Sequence, residues 1–524
     1  MKITTPVIVA ATVALLAACG EAVQYQQTVA TAGIPVPSKQ AAGESYPEFA
    51  DNPVREVAAE PVSTFSIDVD TASYGRVRRF LNEGELPPED AVRTEEMVNY
   101  FAYDYPLPDS PEAPFRADMA LFDAPWTKGA QLLRIGLKGY DVVREKRPPA
   151  NLVFLIDTSG SMQGPDRLQL VQRALVMLAD EMGADDRIAI VAYAGSAGVV
   201  LEPTRGSEKV KIHQAIEHLQ AGGSTAGGEG IELAYDLAIE GLRDMVMDNQ
   251  QEGVASRVIL ATDGDFNVGI DNPDALQEMI AARRQSGIYL TVLGFGAGNQ
   301  RDDMMQALAQ AGNGNAAYID SFQEARKVLV EQMGSTLFTI ADDVKIQIEF
   351  NPAYVAEYRL IGYETRMLAR GDFNNDKVDA GEIGAGHTVT ALYEIVAPDS
   401  PARRIDPLRY ASTEPAPPGI ANGELAWLRI RYKLPGESAS RLIEQPVAVA
   451  SHTAFAQADA DARFAAAVAG FGQLLRHNTG LGTLSYDDVA AIATDARGAD
   501  TQGYRAEFIR LVQIAGGLDK SASR

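Results

Sequence analysis

Asp157, Ser159 and Ser161 stand two residues apart at the end of the apolar run Leu152 to Ile156. In an extended or looped strand exit, alternate residues face one side, so this D-x-S-x-S spacing brings one carboxylate and two hydroxyls together. Two further oxygen-bearing segments follow in order: Gly222-Gly223-Ser224-Thr225, and Asp263 in Ala261-Thr262-Asp263-Gly264-Asp265 after the apolar run Val258-Ile259-Leu260. Hydroxyls and carboxylates without imidazole or thiolate form a hard donor set, suited to Mg2+, Mn2+ or Ca2+ and not to zinc. The one cysteine lies near the N-terminus, so no disulfide, thiolate zinc site or CxxC redox pair can be assembled from this chain, and the five histidines are widely spread with no HExxH or comparable metal spacing.

Two other groups of acids have spacings that could do chemistry. In the segment Asp372 to Glu382, Asp372, Asn374 and Asp376 occupy the first, third and fifth positions and Glu382 the eleventh, as in a calcium loop. Lys377, however, stands where a glycine is expected, and the last acid falls one residue short. A structural Ca2+ site and an Asx-rich turn are both compatible with that pattern. Asp68-Val69-Asp70 is similar to the paired aspartates of haloacid-dehalogenase phosphatases, which would give a Mg2+-dependent phosphohydrolase working through an aspartyl-phosphate. Ala72 occupies the position of the expected Thr or Val, and no strand–helix unit precedes the pair, so a turn or strand-end cap is the competing reading. No catalytic set is assigned: a GxGxxG, a Walker A lysine and a GxSxG elbow are all missing from the sequence.

The elements that must position the first group are legible from hydrophobic period. Between residues 148 and 340, apolar strands (NLVFLIDTS, RIAIVAYAG, SRVILATDG, IYLTVLGFGAG, NAAYID) alternate with amphipathic helical segments, and a long helix is expected from Phe322 to about Phe338. Near-continuous apolar strands between helices imply a parallel sheet covered on both faces, a doubly wound, Rossmann-like α/β domain with its site at the carboxyl ends of the strands. Residues 62–147 and 341–450 carry strand-like alternation. They are expected to form one β-sandwich into which the α/β domain is inserted, and residues 451–524 read as a helical segment.

At these five positions the chain resembles the von Willebrand factor type A (VWA) domain and its metal-ion-dependent adhesion site. The resemblance implies that Ser159, Ser161 and Thr225 bind the metal through hydroxyls while Asp157 and Asp263 act largely through waters. It also implies an open coordination position that a carboxylate of a partner protein completes. Around the domain, the segments STFSIDVDTASYGRVRRFLNEGELPPEDAVRTEEMVNYF, DVKIQIEFNPAYVAEYRLIGYE and GHTVTALYEIV resemble YfbK-like bacterial envelope proteins.

The N-terminus and the overall charge complete the expectation. Residues 1–18 have the shape of a secretory signal, and Leu16-Ala17-Ala18-Cys19 resembles a lipobox, in which Cys19 is lipidated. Gly20 in place of Asp favours the outer membrane by that resemblance. Residues 19–61, rich in Ala, Gln, Pro and Gly, read as a tether reaching about 35 Å. The chain of 524 residues carries 46 Lys+Arg against 71 Asp+Glu, a net charge of −25, which argues against nucleic-acid binding. An acidic domain meeting an acidic ligand is repelled unless a cation bridges them. The expected function is therefore a lipid-anchored, cation-dependent protein-binding module of the bacterial cell envelope, facing the periplasm or the cell surface. A scaffold with a purely structural metal is the alternative, with the phosphohydrolase behind it.

Overall fold

The computed structural model describes residues 46–524 except 69, 110–112, 142–146, 224–226, 248–253, 265–272, 298–301, 333, 335–336, 379, 407–422 and 523–524. The signal, Cys19, most of the tether and Thr225 lie outside the described residues. No helix among the described residues is long and apolar enough to cross a membrane.

The central sheet has the strand order Ala316–Ile319, Ile288–Phe295, Ala255–Thr262, Ala150–Asp157, Arg187–Tyr193, Ala197–Arg205. All neighbours run parallel except the last. Every residue of Ala150–Asp157 is buried, and the two faces are divided by the strand's period of two. Leu152, Phe154 and Ile156 face Val171, Ala174 and Leu178 of the helix Leu168–Glu181. Val153 and Leu155 face Ile231, Ala234 and Ala238 of the helix Gly227–Met247. From Ala150–Asp157 the chain moves to Arg187–Tyr193 on one side and returns to Ala255–Thr262 on the other. The crevice beyond the carboxyl ends of Ala150–Asp157 and Ala255–Thr262 is therefore a topological switch point. Asp157 ends the first of these strands and Asp263 follows the second.

The flanking strands do form one sandwich. A six-stranded sheet runs Arg55–Glu56, Glu357–Ile361, Thr388–Val396, Ala130–Gly139, Phe115–Asp123, His452–Thr453, so strands from before and after the α/β domain pair directly. Thr339–Phe350 centres the second sheet, between Glu424–Lys433 on one side and Val62–Ser66 with Gly381–Gly384 on the other; Ser440–Ala448 forms its edge. Leu133, Ile135 and Val389 of one sheet share a core with Phe65, Ile346 and Leu428 of the other. Helices from the two ends of the chain meet as well. Tyr74, Tyr100 and Phe101 from Ala72–Asn82 and the segment after Thr94–Asn99 pack with Phe464, Phe471 and Phe508 from Ala460–Leu475 and Tyr504–Ala522.

Two expectations need correction. The long helix from Phe322 is not uniformly α-helical: the α-helix Phe322–Arg326 widens to a π-helix over Lys327–Glu331, and Gly334 and Leu337 are α-helical again. There the Lys327 ammonium turns inward onto the carbonyl and the ring of Tyr100, an interaction that apolar period does not reveal. The edge strand Ala197–Arg205 has no counterpart in the sequence reading, because Val199 and Val200 are consecutive and both partly exposed, which breaks the alternation.

Candidate functional site

Asp157 leaves its strand fully buried, and its carboxylate organises the loop that follows. Oδ1 accepts from the Ser159 backbone N–H at 2.9 Å, and Oδ2 accepts from the Thr262 hydroxyl at 3.2 Å. This closes an Asx turn that aims Ser159 and Ser161 at each other, with their Oγ atoms 2.9 Å apart. Thr262 in turn accepts from the Gly264 N–H at 3.1 Å, shaping the turn that carries buried Asp263. Burial pushes the Asp157 carboxyl up to about 6; the Ser159 and Thr262 hydrogen bonds oppose this and the neighbouring Asp263 charge adds to it.

The third segment approaches the same loop. Gly222 N–H donates to the Thr158 carbonyl at 2.7 Å and Gly160 N–H donates to the Gly223 carbonyl at 3.0 Å. Two backbone hydrogen bonds thus dock the described part of this segment against the D-x-S-x-S turn. Of the five expected positions, the structure brings Asp157, Ser159, Ser161 and Asp263 to one crevice.

These residues fit a hard divalent cation. Two converging hydroxyls stand over two buried carboxylates that repel each other. Ser159, Ser161, Asp157 and Asp263 would hold the ion, whose contribution is a positive charge with a coordination position to offer.

Sequence reasoning missed Arg167. Its guanidinium donates from Nη1 to the Ser161 carbonyl and from Nη2 to the Ala297 carbonyl at 2.7 Å, and Nη1 lies 3.7 Å from Asp263 Oδ2. One signal was available: Arg167 is the N-cap of the helix Leu168–Glu181, where Ser, Thr, Asp or Asn is expected and the helix dipole disfavours a cation.

The other candidate groups are spent elsewhere. Asp372 accepts from the Ala369 N–H at 3.2 Å, capping its own turn. Asp376 accepts from Arg431 at 2.9 Å and from the Ser440 hydroxyl at 2.6 Å. Glu382 lies on the strand Gly381–Gly384, where its charge acts on Arg257 and Tyr289. Among the described residues no three acidic, His or Cys side chains gather as a metal site, so the structure does not bring Asp372, Asp376 and Glu382 to one ion. Asn374, from the same segment, ends the short 3-10 turn Arg370–Asn374. Asp68 and Asp70 both pair with Arg366, at 2.8 and 3.3 Å; Asp68 also accepts from Gln310, and Asp70 from the Ala316 N–H. That arrangement is a strand-end clamp and leaves neither carboxylate poised as a nucleophile.

The chain is similar to known proteins along most of its length. The sequence pattern of the von Willebrand factor type A domain matches residues 151–332, and one described as von Willebrand factor matches residues 40–134. The α/β unit is thus a VWA domain. The pattern of the C-terminal part of the uncharacterized protein YfbK matches residues 335–518. The chain is 48% identical to YfbK of Escherichia coli K12 over 479 residues, covering 90% of this chain and 81% of that protein. It belongs to the YfbK family. An uncharacterized Synechocystis protein is 34% identical over 195 residues, 37% of this chain and 43% of its own length. Among solved structures, a von Willebrand factor type A protein from Catenulispora acidiphila is 17% identical, covering 77% of this chain and 91% of its own, with a TM-score of 0.38. Proximal thread matrix protein 1 from the mussel byssus, with a zinc-occupied MIDAS motif, is 23% identical over 37% of this chain and 46% of its own, with a TM-score of 0.27.

Proposed function

We propose that this protein is a cation-dependent protein-binding module of the bacterial cell envelope, anchored through a lipid on Cys19 and standing off the membrane on residues 19–61. A divalent cation held by Ser159, Ser161 and Thr225, with Asp157 and Asp263 behind them, captures a carboxylate of a partner protein. The observation that carries this reading is the pair of hydroxyls 2.9 Å apart at the switch point, above two buried carboxylates. Each residue of the chain has a defined task in it: Asp157 shapes the turn and balances charge, the serines present lone pairs, and Asp263 supplies the second carboxylate. The acidic surface adds a reason for the cation, because an acidic partner is otherwise repelled. Mg2+ is the first choice for such hard donors, with Mn2+ and Ca2+ next.

The test has two parts. In thermal unfolding, Mg2+ at about 100 times its Kd should stabilise the wild type by about 2.7 kcal/mol, and Asp157→Ala and Ser161→Ala should lose that gain. Crosslinked capture from intact envelopes, in Mg2+ and in EDTA, should then recover a partner only with the wild type in Mg2+. The same stabilisation with an identical set of captured proteins in all samples would leave a structural metal and remove the capture role.

A further inference from the structure

Arg167 touches the site without being one of its donors. Its side chain is about one-fifth exposed, whereas Asp263 beside it is buried. The guanidinium joins three strand exits: the Ser161 carbonyl of the first, Asp263 of the second and the Ala297 carbonyl of the third. The backbone passes beneath it at Gly296, with φ +73°, where a Cβ would come within 2.4 Å of Arg167 Nε. Both carbonyls and the glycine turn are therefore arranged to hold a cation at a position where the helix N-terminus disfavours one.

The consequence is electrostatic. Asp157 and Asp263 with Arg167 form a charge cluster of net −1, which a divalent cation takes to +1. Without Arg167 the loaded set would be neutral. We propose that Arg167 determines the ligand preference of this site: it loosens the hold on the cation and leaves the loaded site with a surplus positive charge that an incoming carboxylate neutralises. This rests on the cation-dependent reading above and adds to it the residue that makes an anionic ligand preferred over water. Because Nη1 and Nη2 are engaged with carbonyls, Arg167 acts through the field it sets up and is a positioning residue, not a direct ligand of the partner.

The predicted signature is a pair of effects of opposite sign. A unit charge a few ångströms from a partly buried ion shifts its binding by about tenfold or more. The full chain is titrated with MgCl2 by calorimetry and by thermal unfolding, in chloride and with acetate replacing chloride at constant ionic strength. In the wild type, acetate should tighten Mg2+ binding. Arg167→Gln should bind Mg2+ about tenfold more tightly than the wild type and lose the acetate effect, while Arg167→Lys, which keeps the charge, should retain it. Arg167→Met, which keeps the aliphatic packing, serves as a second neutral variant should the glutamine variant fold poorly. If the neutral variants bind Mg2+ more weakly, Arg167 is only a loop tie and the proposal fails; it fails equally if acetate still tightens binding in them. No Mg2+ response in the wild type would instead remove the cation site itself, and Arg167's role with it.

Discussion

At the residue scale, the site is built by short-range hydrogen bonding that sequence spacing can foretell. Once Asp157 ends an apolar strand, its acceptance of the Ser159 N–H follows from side-chain length, and Ser161 is then carried round to meet Ser159. Arg167 and Gly296 were not legible in that way, because their contact joins segments about 130 residues apart. The glycine offers a direct check on that contact. Gly296→Ala forces a Cβ into the Arg167 side chain and a left-handed backbone onto alanine, which costs about 1–3 kcal/mol. Urea unfolding of the metal-free chain should show this loss. An unchanged midpoint would mean that the close approach at Gly296 does not constrain the loop.

At the element scale, the π-helix over Lys327–Glu331 is the main departure from what periodicity predicts. Lys327 is buried, and burial pushes its ammonium down to about 7, partly offset by Glu324. In the unfolded chain a lysine titrates near 10.4. Between about pH 7 and pH 10 the unfolded state therefore holds a proton that folded Lys327 has released, so stability rises with pH across that window, by up to about 1.4 kcal/mol per unit. Below pH 7 both states carry the charge and this group adds no slope. Replacing the ammonium in Lys327→Met should raise stability at pH 7 and flatten the rise between pH 7 and 9, as read from denaturation midpoints. Parallel profiles for the two proteins would show that Lys327 stays charged in the fold.

At the scale of the whole molecule, the described body from residue 46 onward is interlaced end to end. Thr388–Val396 pairs with Ala130–Gly139 across the inserted VWA domain, and the aromatic cluster around Phe101 draws on both ends of the chain. Ion pairs of buried arginines add to this: Arg76 and Arg93 meet buried Asp302, and Arg78 meets buried Glu324 with the half-buried Asp320 and Glu507. Removing one partner of such a pair costs about 3–5 kcal/mol, because the other is left buried and charged. A chain ending at residue 450 loses Phe464, Phe471 and Phe508 from the core that covers Tyr74 and Tyr100. It should lack a cooperative thermal transition and be cut rapidly by protease within residues 72–105. A sharp transition at the full chain's midpoint would show that the C-terminal helices are an independent unit.

The sequence by itself determined the class of the central domain, the order of its main strands and helices, and the chemistry of its crevice. Those depend on local quantities: the period of apolar residues, the reach of an aspartate side chain and the types of donor atom available. Tertiary structure alone decided that the flanking strands close one sandwich, that helices from the two ends of the described body share a core, and that Asp68, Asp70 and Asp376 are tied to arginines. It also decided that a guanidinium stands beside the crevice. Each of these depends on which distant segments pack together, and a carboxylate or an arginine reads the same in sequence whether it meets a metal, a partner charge or water.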